Sequence, residues 1–147
     1  MKEIKPRSGC PVSYTLDFFG DKWSLLIIRD MVLEGKISYG EFLNSDEKIA
    51  TNILADRLGM LEANGFITKR IAPDKKSKFV YSLTEKGISL VPVIIEISLW
   101  GSQFHPPEEE KKLINAIKKD RTGTILRIQS NLRKKLKEQA LSNRLIG

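Results

Sequence analysis

One segment decides how this chain folds: ATNILADRLGMLEANGFITKRIAPDKKSKFVYSL, residues 50–83. Its first half repeats leucine at positions 54, 58 and 61, the i, i+4, i+7 spacing of an amphipathic helix. This spacing predicts a helix over Ala50–Asn64, ended by Gly65 in a left-handed turn. Two short β-branched or aromatic stretches follow, Ile67–Ile71 and Phe79–Leu83, and the polar loop between them predicts a β-hairpin.

Three shorter helices are predicted before this segment. Val12–Phe19 follows a proline and ends at a glycine, and a third helix is predicted around Tyr39–Leu43. The second helix is predicted over Lys22–Leu33, with Asp21 accepting a backbone N–H as the N-cap and Gly35 ending it.

After the hairpin, Thr84 is predicted to cap a long helix, Glu85–Phe104, bent or offset at Pro92. The resulting order is four helices, a strand, a basic loop, a strand and a helix. This order is that of a helix-turn-helix followed by a β-hairpin wing. The predicted fold class is mainly α with a small β-hairpin (α+β).

Charge divides the 147 residues into two parts, although the net charge of the whole chain is +7. Residues 1–105 hold 14 Lys and Arg against 13 Asp and Glu, whereas residues 106–147 hold 11 against 5. Pro106-Pro107 lies at the boundary between these two parts. We therefore expect a winged helix-turn-helix domain over 1–105 and a basic helical extension over 106–147. A helix starting near Pro107, behind Glu108–Glu110, and a second after Thr122-Gly123 are expected in the extension.

The composition argues against several classes of protein. A single cysteine, Cys10, excludes an intramolecular disulfide or a CxxC pair, and a single histidine, His105, gives no ground for a metal site. No nucleophile and base are placed together, so neither an enzyme nor a cofactor is predicted. The most apolar stretch, Val91–Trp100, is too short to cross a membrane and is interrupted by Glu96. The chain is expected to be cytoplasmic, without a membrane partner.

The Ala50–Asn64 helix is the predicted DNA-recognition helix. Side chains near the N-terminal end of such a helix can reach base edges in the major groove. Thr51, Asn52 and Ala55 are the candidates, because Asn can pair with adenine and Thr or Ala can touch a thymine methyl. Arg57 is expected to bind a phosphate. The alternative is an amphipathic core helix whose polar face is merely solvated.

The hairpin loop would supply positive charge to the same duplex. Lys75, Lys76 and Lys78 are predicted to contact phosphates from the wing, with Arg70 at its base. The alternative for each of these lysines is a solvated charged turn.

Three stretches resemble the HxlR-type winged-helix transcription regulators, relatives of the MarR group. They are CPVSYTLDFFGDKWSLLIIRDM, KIATNILADRLGMLEANGFITKR and VYSLTEKGISLVPVIIEISLWG, and the resemblance covers about residues 9–101. It implies a cytoplasmic homodimer that binds double-stranded DNA at a palindromic operator, most often as a repressor. It also implies dimerisation through the N-terminal and C-terminal helices of the domain. The chain departs from the family at Ala50, where a capping Ser is usual, and at Lys76-Ser77-Lys78, where two prolines and an Arg are common.

Several regulators of this kind use a cysteine at the place of Cys10 to sense electrophiles or oxidants. Cys10 precedes Pro11 at a helix start, where the helix dipole favours a thiolate, and Lys5 and Arg7 are near in sequence. The alternative is a buried cysteine that packs as a small apolar side chain. A small-molecule or electrophile effector therefore stays open, as does a different function, a winged-helix protein–protein interaction module without specific DNA binding.

Overall fold

The computed structural model describes residues 3–74 and 78–146, with side chains as far as Leu141. It contains two compact units, Met1–Gly87 and Ile88–Gly147. The prediction of a mainly helical fold with one antiparallel hairpin is confirmed. The elements in chain order are α1 (Pro11–Phe19), α2 (Ser24–Leu33), α3 (Tyr39–Leu43), α4 (Thr51–Ala63), β1 (Ile67–Ile71), β2 (Phe79–Leu83), α5 (Glu85–Ile88), α6 (Val91–Ser102), α7 (Lys111–Lys119) and α8 (Arg121–Ile146).

Asp21 was predicted as the N-cap of α2, but the N-cap position is held by Trp23 and the regular helix begins two residues later than expected; Asp21 bonds to the turn just before it. Its carboxylate accepts hydrogen bonds from the backbone N–H groups of Trp23 and Ser24, each at 2.9 Å, and from Ser24 Oγ at 2.7 Å. The i→i−4 backbone bond at the start of the helix runs from the N–H of Ile27 to the carbonyl of Trp23 at 3.1 Å, so the regular helix starts at Ser24 instead of Lys22. Gly35 ends the helix region with a φ of 67°, as its position predicted.

The helix α4 is built on the leucine repeat. Leu54, Leu58 and Leu61 are 0–2% exposed and form the core of the first unit with Ile28 and Phe42. These side chains hold α4 in place by burial of apolar area, which stabilises each large side chain by about 1.5–3 kcal/mol.

The end of α4 leads directly into the hairpin. Gly65 has a φ of 80°, and the N–H of Phe66 donates to the carbonyl of Leu61 at 2.9 Å, so the last carbonyls of the helix are satisfied. The ring of Phe66 then lies against Phe18 and Phe19 of α1, with centroid separations of 5.3 and 5.1 Å. This packing fixes where β1 begins.

The hairpin has the predicted bounds, and its register pairs Ile67 with Leu83 and Ile71 with Phe79. A further isolated bridge joins Ser38 to Val80, at the residue that precedes α3. The β2 strand is thus connected by backbone pairing both to β1 and to the start of the helix-turn-helix.

The single long helix predicted over Glu85–Phe104 is wrong, because the chain forms two helices, α5 and α6, with a break at residues 89–90. Pro92 has no N–H to donate, and its ring would collide with the carbonyl of Ile88 in a continuous helix. Thr84 does cap α5, accepting from the N–H of Gly87 at 3.2 Å.

The extension differs from its prediction at both helix starts. α7 begins at Lys111 rather than near Pro107, because the acidic run Glu108–Glu110 has no apolar side chain with which a first turn could pack. α8 begins at Arg121, before Gly123, because Asp120 accepts from the N–H of Gly123 at 3.0 Å and so caps the helix.

The boundary at Pro106-Pro107, which was predicted from the charge distribution, lies within the second unit. The division into a 1–105 domain and a 106–147 extension stays a prediction. None of the described helices combines the length and apolar character that crossing a membrane requires.

Candidate nucleic-acid interface

The predicted base-reading side chains all lie on the exposed face of α4. Thr51, Asn52 and Ala55 are exposed, whereas Leu54 and Leu58 on the other face are buried. Ala50 occupies the N-cap position without a side-chain hydrogen bond, so the first turn of α4 presents unbonded N–H groups at its positive end. The N-terminal end of α4 is thus chemically suited to contact an anionic partner.

Tyr39 is a site residue that the sequence analysis missed. Its hydroxyl donates a hydrogen bond to the carbonyl oxygen of Thr51 at 2.8 Å, which joins the start of α3 to the first turn of α4. Tyr39 is itself positioned by a capping box, in which Ser38 Oγ accepts from the N–H of Glu41 and the Glu41 carboxylate accepts from the N–H of Ser38. The signal in the sequence was this Ser-x-x-Glu spacing at the start of α3.

The two faces of the hairpin carry different side chains. Lys69 lies opposite Tyr81 and Ile71 opposite Phe79, so these four share one face, because side chains alternate along a strand. Arg70, one residue away, lies opposite Val80 on the other face. The Lys69 Nζ atom stands 4.0 Å from the centroid of the Phe79 ring, a cation–π contact that holds the ammonium group at the surface of the hairpin.

One groove joins α4 to the hairpin. Its volume is about 400 Å³, and one wall is formed by the middle of α4, from Ala55 to Glu62, while the Lys69 face of the hairpin forms the other. Of the predicted base-reading residues, Ala55 lines the groove, whereas Thr51 and Asn52 do not. The start of α3 closes one side. The lining residues are Tyr39, Gly40, Ala55, Leu58, Gly59, Glu62, Lys69, Lys78, Phe79 and Tyr81. A single partner that entered this groove would therefore contact the recognition helix and the wing together.

The groove has a mixed electrostatic character. Lys69 and Lys78 supply positive charge, and Glu62 supplies one negative charge from α4. Burial, reinforced by the charge of Glu62, raises the pKa of Tyr81 above its usual value. Burial alone would raise the pKa of Glu41, but hydrogen bonds from Ser38 and Ile37 and the charge of Lys78 lower it below its usual value. The two lysines thus belong to the hairpin, whereas the carboxylates of Glu41 and Glu62 belong to α3 and α4.

Arg57 does not line the groove. Its guanidinium forms ion pairs with Asp56 and with Asp21, the latter at 3.5 Å, and these carboxylates raise its pKa. Asp56 is the immediate neighbour of Arg57 on α4, and Asp21 bonds to the turn just before α2. A phosphate contact by Arg57 would have to compete with two carboxylates that already hold it.

Two of the predicted wing residues, Lys75 and Lys76, lie outside the described residues. Lys78 is described, is exposed and lines the groove. The N–H of Ala72 donates to the carbonyl of Lys78 at 2.7 Å, which continues the hairpin pairing to the edge of the loop.

Cys10 is exposed, so the alternative of a buried, packing cysteine is wrong. It stands at the N-cap position of α1, and its backbone N–H donates to Ser8 Oγ at 3.2 Å. The nearby cation Arg7 is paired with Asp17. The thiol is thus accessible at a helix start, while the Arg7 charge is directed to another partner.

No cluster of three or more His, Cys, Asp or Glu side chains able to hold a metal ion occurs in the part of the chain that the structure describes. In the groove, the side chains that could bind a polyanion are those of Lys69 and Lys78.

The chain is similar in sequence and structure to known proteins. Residues 18–109 match the model of the HxlR-like helix-turn-helix family. The chain is 36% identical over 101 residues to an uncharacterized HTH-type transcriptional regulator, YybR of Bacillus subtilis (strain 168), a match that spans 68% of this chain and 80% of YybR.

Two solved structures are also similar. The crystal structure of PA1607, a candidate transcription factor, has a TM-score of 0.62 and 39% identity, covering 71% of this chain and 72% of that one. The oxidized form of the redox regulator HypR has a TM-score of 0.57 and 34% identity, covering 64% of this chain and 96% of HypR.

Proposed function

The chain belongs to the HxlR-like helix-turn-helix family of DNA-binding transcriptional regulators, and from that premise we propose that it is a homodimeric cytoplasmic repressor of a palindromic operator. The observation that carries the proposal is the groove shared by α4 and the hairpin, because both walls face one volume. Two copies of α4, one from each protomer, would enter successive major grooves about 34–36 Å apart. The two-fold symmetry of a homodimer then requires a palindromic or nearly palindromic site.

Base contacts and phosphate contacts are assigned to different residues. Thr51, Asn52 and Ala55 would face base edges, because they are exposed near the N-terminal end of α4. Phosphate contacts are assigned to the cationic side chains, which fix the register of the protein on the duplex without reading sequence. These are Arg57, Arg70, Lys75, Lys76 and Lys78.

The test is a binding titration with the upstream region of the protein's own gene against a random duplex of equal length. Asn52→Ala should lower the difference in binding free energy between operator and random duplex by about 1–3 kcal/mol, because it removes a base contact. Lys78→Gln should weaken binding to both duplexes equally and reduce the salt slope by about 1 for each bound protomer. The assignment fails if wild-type protein shows no preference for the operator, or if Asn52→Ala leaves the ratio unchanged.

Dimerisation is proposed through the helices that expose apolar side chains. On α1, Val12 and Leu16 are 67% and 51% exposed, and on α6 and just after it, Ile97, Trp100 and Phe104 are 49–74% exposed. Large apolar side chains at i, i+3 and i+7 on one helix face are typical of a surface that is covered in a dimer.

Sedimentation of a Trp100→Glu variant tests the interface. We expect a shift from dimer to monomer and a loss of operator affinity. Leu126→Glu, at an α8 side chain that is 58% exposed, is the matched control and should stay dimeric. If both variants sediment like the wild type, the α6 face is not the interface.

We also propose that Cys10 senses electrophiles or oxidants. Its thiol is exposed at the start of α1, and HypR, with 34% identity, is a redox regulator. Treatment with diamide or a quinone should change operator affinity in the wild type and leave a Cys10→Ser variant unaffected. Unchanged affinity after complete alkylation of Cys10 would reject the sensing role.

A further inference from the structure

The positive charge of the chain is concentrated on one element outside the matched family region. α8 carries seven Lys and Arg residues and one acid, Glu138, which is a net charge of +6. The net charge of the chain is +7, so the 120 residues before α8, which include α4 and the hairpin, have a net charge of only +1. Electrostatic attraction to DNA scales with the cations placed near phosphates. The winged-helix unit by itself supplies little net attraction of this kind.

Packing determines which side of α8 is free. Thr124 and Leu132 are buried, and Thr124 Oγ1 donates to the carbonyl of Ala116 on α7 at 3.1 Å. Gln129 Nε2 donates to the carbonyl of Ile88 at 3.3 Å on the same side of the helix. These contacts, all within the second unit, commit one face of α8 to the interior.

The opposite face carries a row of cations. Arg127, Lys134 and Lys137 are exposed at positions i, i+7 and i+10, which places them on one side of the helix over about 15 Å. None of the three forms an ion pair with a carboxylate among the side chains that the structure describes. Like charges on one helix face repel one another, and these cations contribute nothing to the packing of α8. A polyanion bound along this face would remove the repulsion.

We propose that this face of α8 binds the phosphate backbone of duplex DNA, outside the bases that α4 reads. The inference rests on the proposed DNA-binding function and adds a second contact region. A membrane surface fits less well, for two reasons. α8 has no aromatic residue, and its exposed large apolar side chains among the described residues are only Leu126 and Leu141, fifteen positions apart, which do not form a continuous apolar face that could enter lipid.

The experiment compares two triple variants of the full chain by salt titration of DNA binding. The test variant is Arg127→Gln with Lys134→Gln and Lys137→Gln, since glutamine is a good helix former and removes only the charge. The control removes three exposed lysines from α7, which stand beside acidic residues. It is Lys111→Gln with Lys112→Gln and Lys119→Gln. Both variants lower the net charge equally.

We expect the test variant to reduce the steepness of log affinity against log salt by about 2.7 for each bound protomer, at about 0.9 for each phosphate that the variant no longer neutralises. Each bound protomer should then make the decrease in affinity between about 50 and 200 mM salt roughly 40-fold smaller than in the wild type. The reduction should be the same for operator and random duplexes, leaving their ratio unchanged. The control variant should keep a slope near that of the wild type.

The proposal is overturned if the salt slope of the test variant is unchanged, or if both triple variants have equal slopes. It is also overturned if the test variant loses binding to phosphatidylserine vesicles while its DNA binding stays intact. Circular dichroism checks the fold, and a Lys134→Arg, Lys137→Arg variant should keep the wild-type slope because it retains the charge. If wild-type protein does not prefer the operator, the repressor proposal fails, whereas the slopes on random duplex still decide the role of α8.

Discussion

Replacing Glu47 with glutamine should loosen the segment that leads into α4. Glu47 lies between α3 and α4, and its carboxylate accepts hydrogen bonds from Nη1 and Nη2 of Arg29 on α2 at 2.9 and 2.8 Å. The same guanidinium donates to the buried carboxylate of Asp30. Arg29 therefore ties α2 to the chain just before the recognition helix, and Glu47 is the outer end of that connection.

The magnitude follows from the geometry and the exposure of the pair. Two charge-assisted hydrogen bonds shielded from water would contribute about 3 kcal/mol or more. The Glu47 side chain is 38% exposed, so water screens the interaction. We expect Glu47→Gln to lower the free energy of unfolding by about 1 kcal/mol, which corresponds to a fall in Tm of about 2–4 °C.

The same pair predicts a pH dependence. Hydrogen bonds from Arg29 lower the pKa of Glu47 from 4.5 to about 2. A carboxyl group with a lower pKa in the folded than in the unfolded chain contributes stability above its unfolded pKa. That contribution is lost as the pH falls toward the folded pKa. The Glu47 contribution is therefore complete above pH 4.5 and disappears between pH 4.5 and about 2.

Urea unfolding followed by circular dichroism at several pH values measures this contribution. The wild type should be more stable than Glu47→Gln at neutral pH, and the difference should shrink below pH 4.5. Glu109→Gln, at an exposed carboxylate before α7, is the control and should match the wild type at neutral pH. A difference between wild type and Glu47→Gln that stays constant through the acid range would refute the reasoning, since it could not come from the charge.

Three further outcomes are expected. Leu54→Ala should lower the free energy of unfolding by about 2–5 kcal/mol in urea titrations, because Leu54 is fully buried in the α4 core; a change near zero would contradict that burial. Tyr39→Phe should lower operator affinity by about 0.5–1.5 kcal/mol, because it removes the hydroxyl that donates to the Thr51 carbonyl; unchanged affinity would show that this bond does not position α4. Gly87→Ala should destabilise the protein by about 1–3 kcal/mol in the same urea titrations, because the added Cβ would collide with the carbonyl oxygen of Phe66, whereas Gly101→Ala, in open space, should be tolerated.

The elements that carry the function could be predicted from the sequence because their signals are local. The leucine spacing of α4, the glycine after it and the alternation of β1 and β2 each depend on residues a few positions apart. The strand bounds agree with the structure to the residue, and α4 differs only in its capping positions. The basic character of the C-terminal part is likewise a property of composition alone.

Tertiary structure decided the rest, because it depends on partners far away in the chain. Whether Lys69 or Arg70 faces the groove depends on the pairing of β1 with β2, ten or more residues later, and on where the hairpin meets α4. Arg57 is held by Asp21, 36 residues earlier, a pairing that no local pattern signals. A helical or strand period tells which residues share a face, but only the packed chain determines what each face meets.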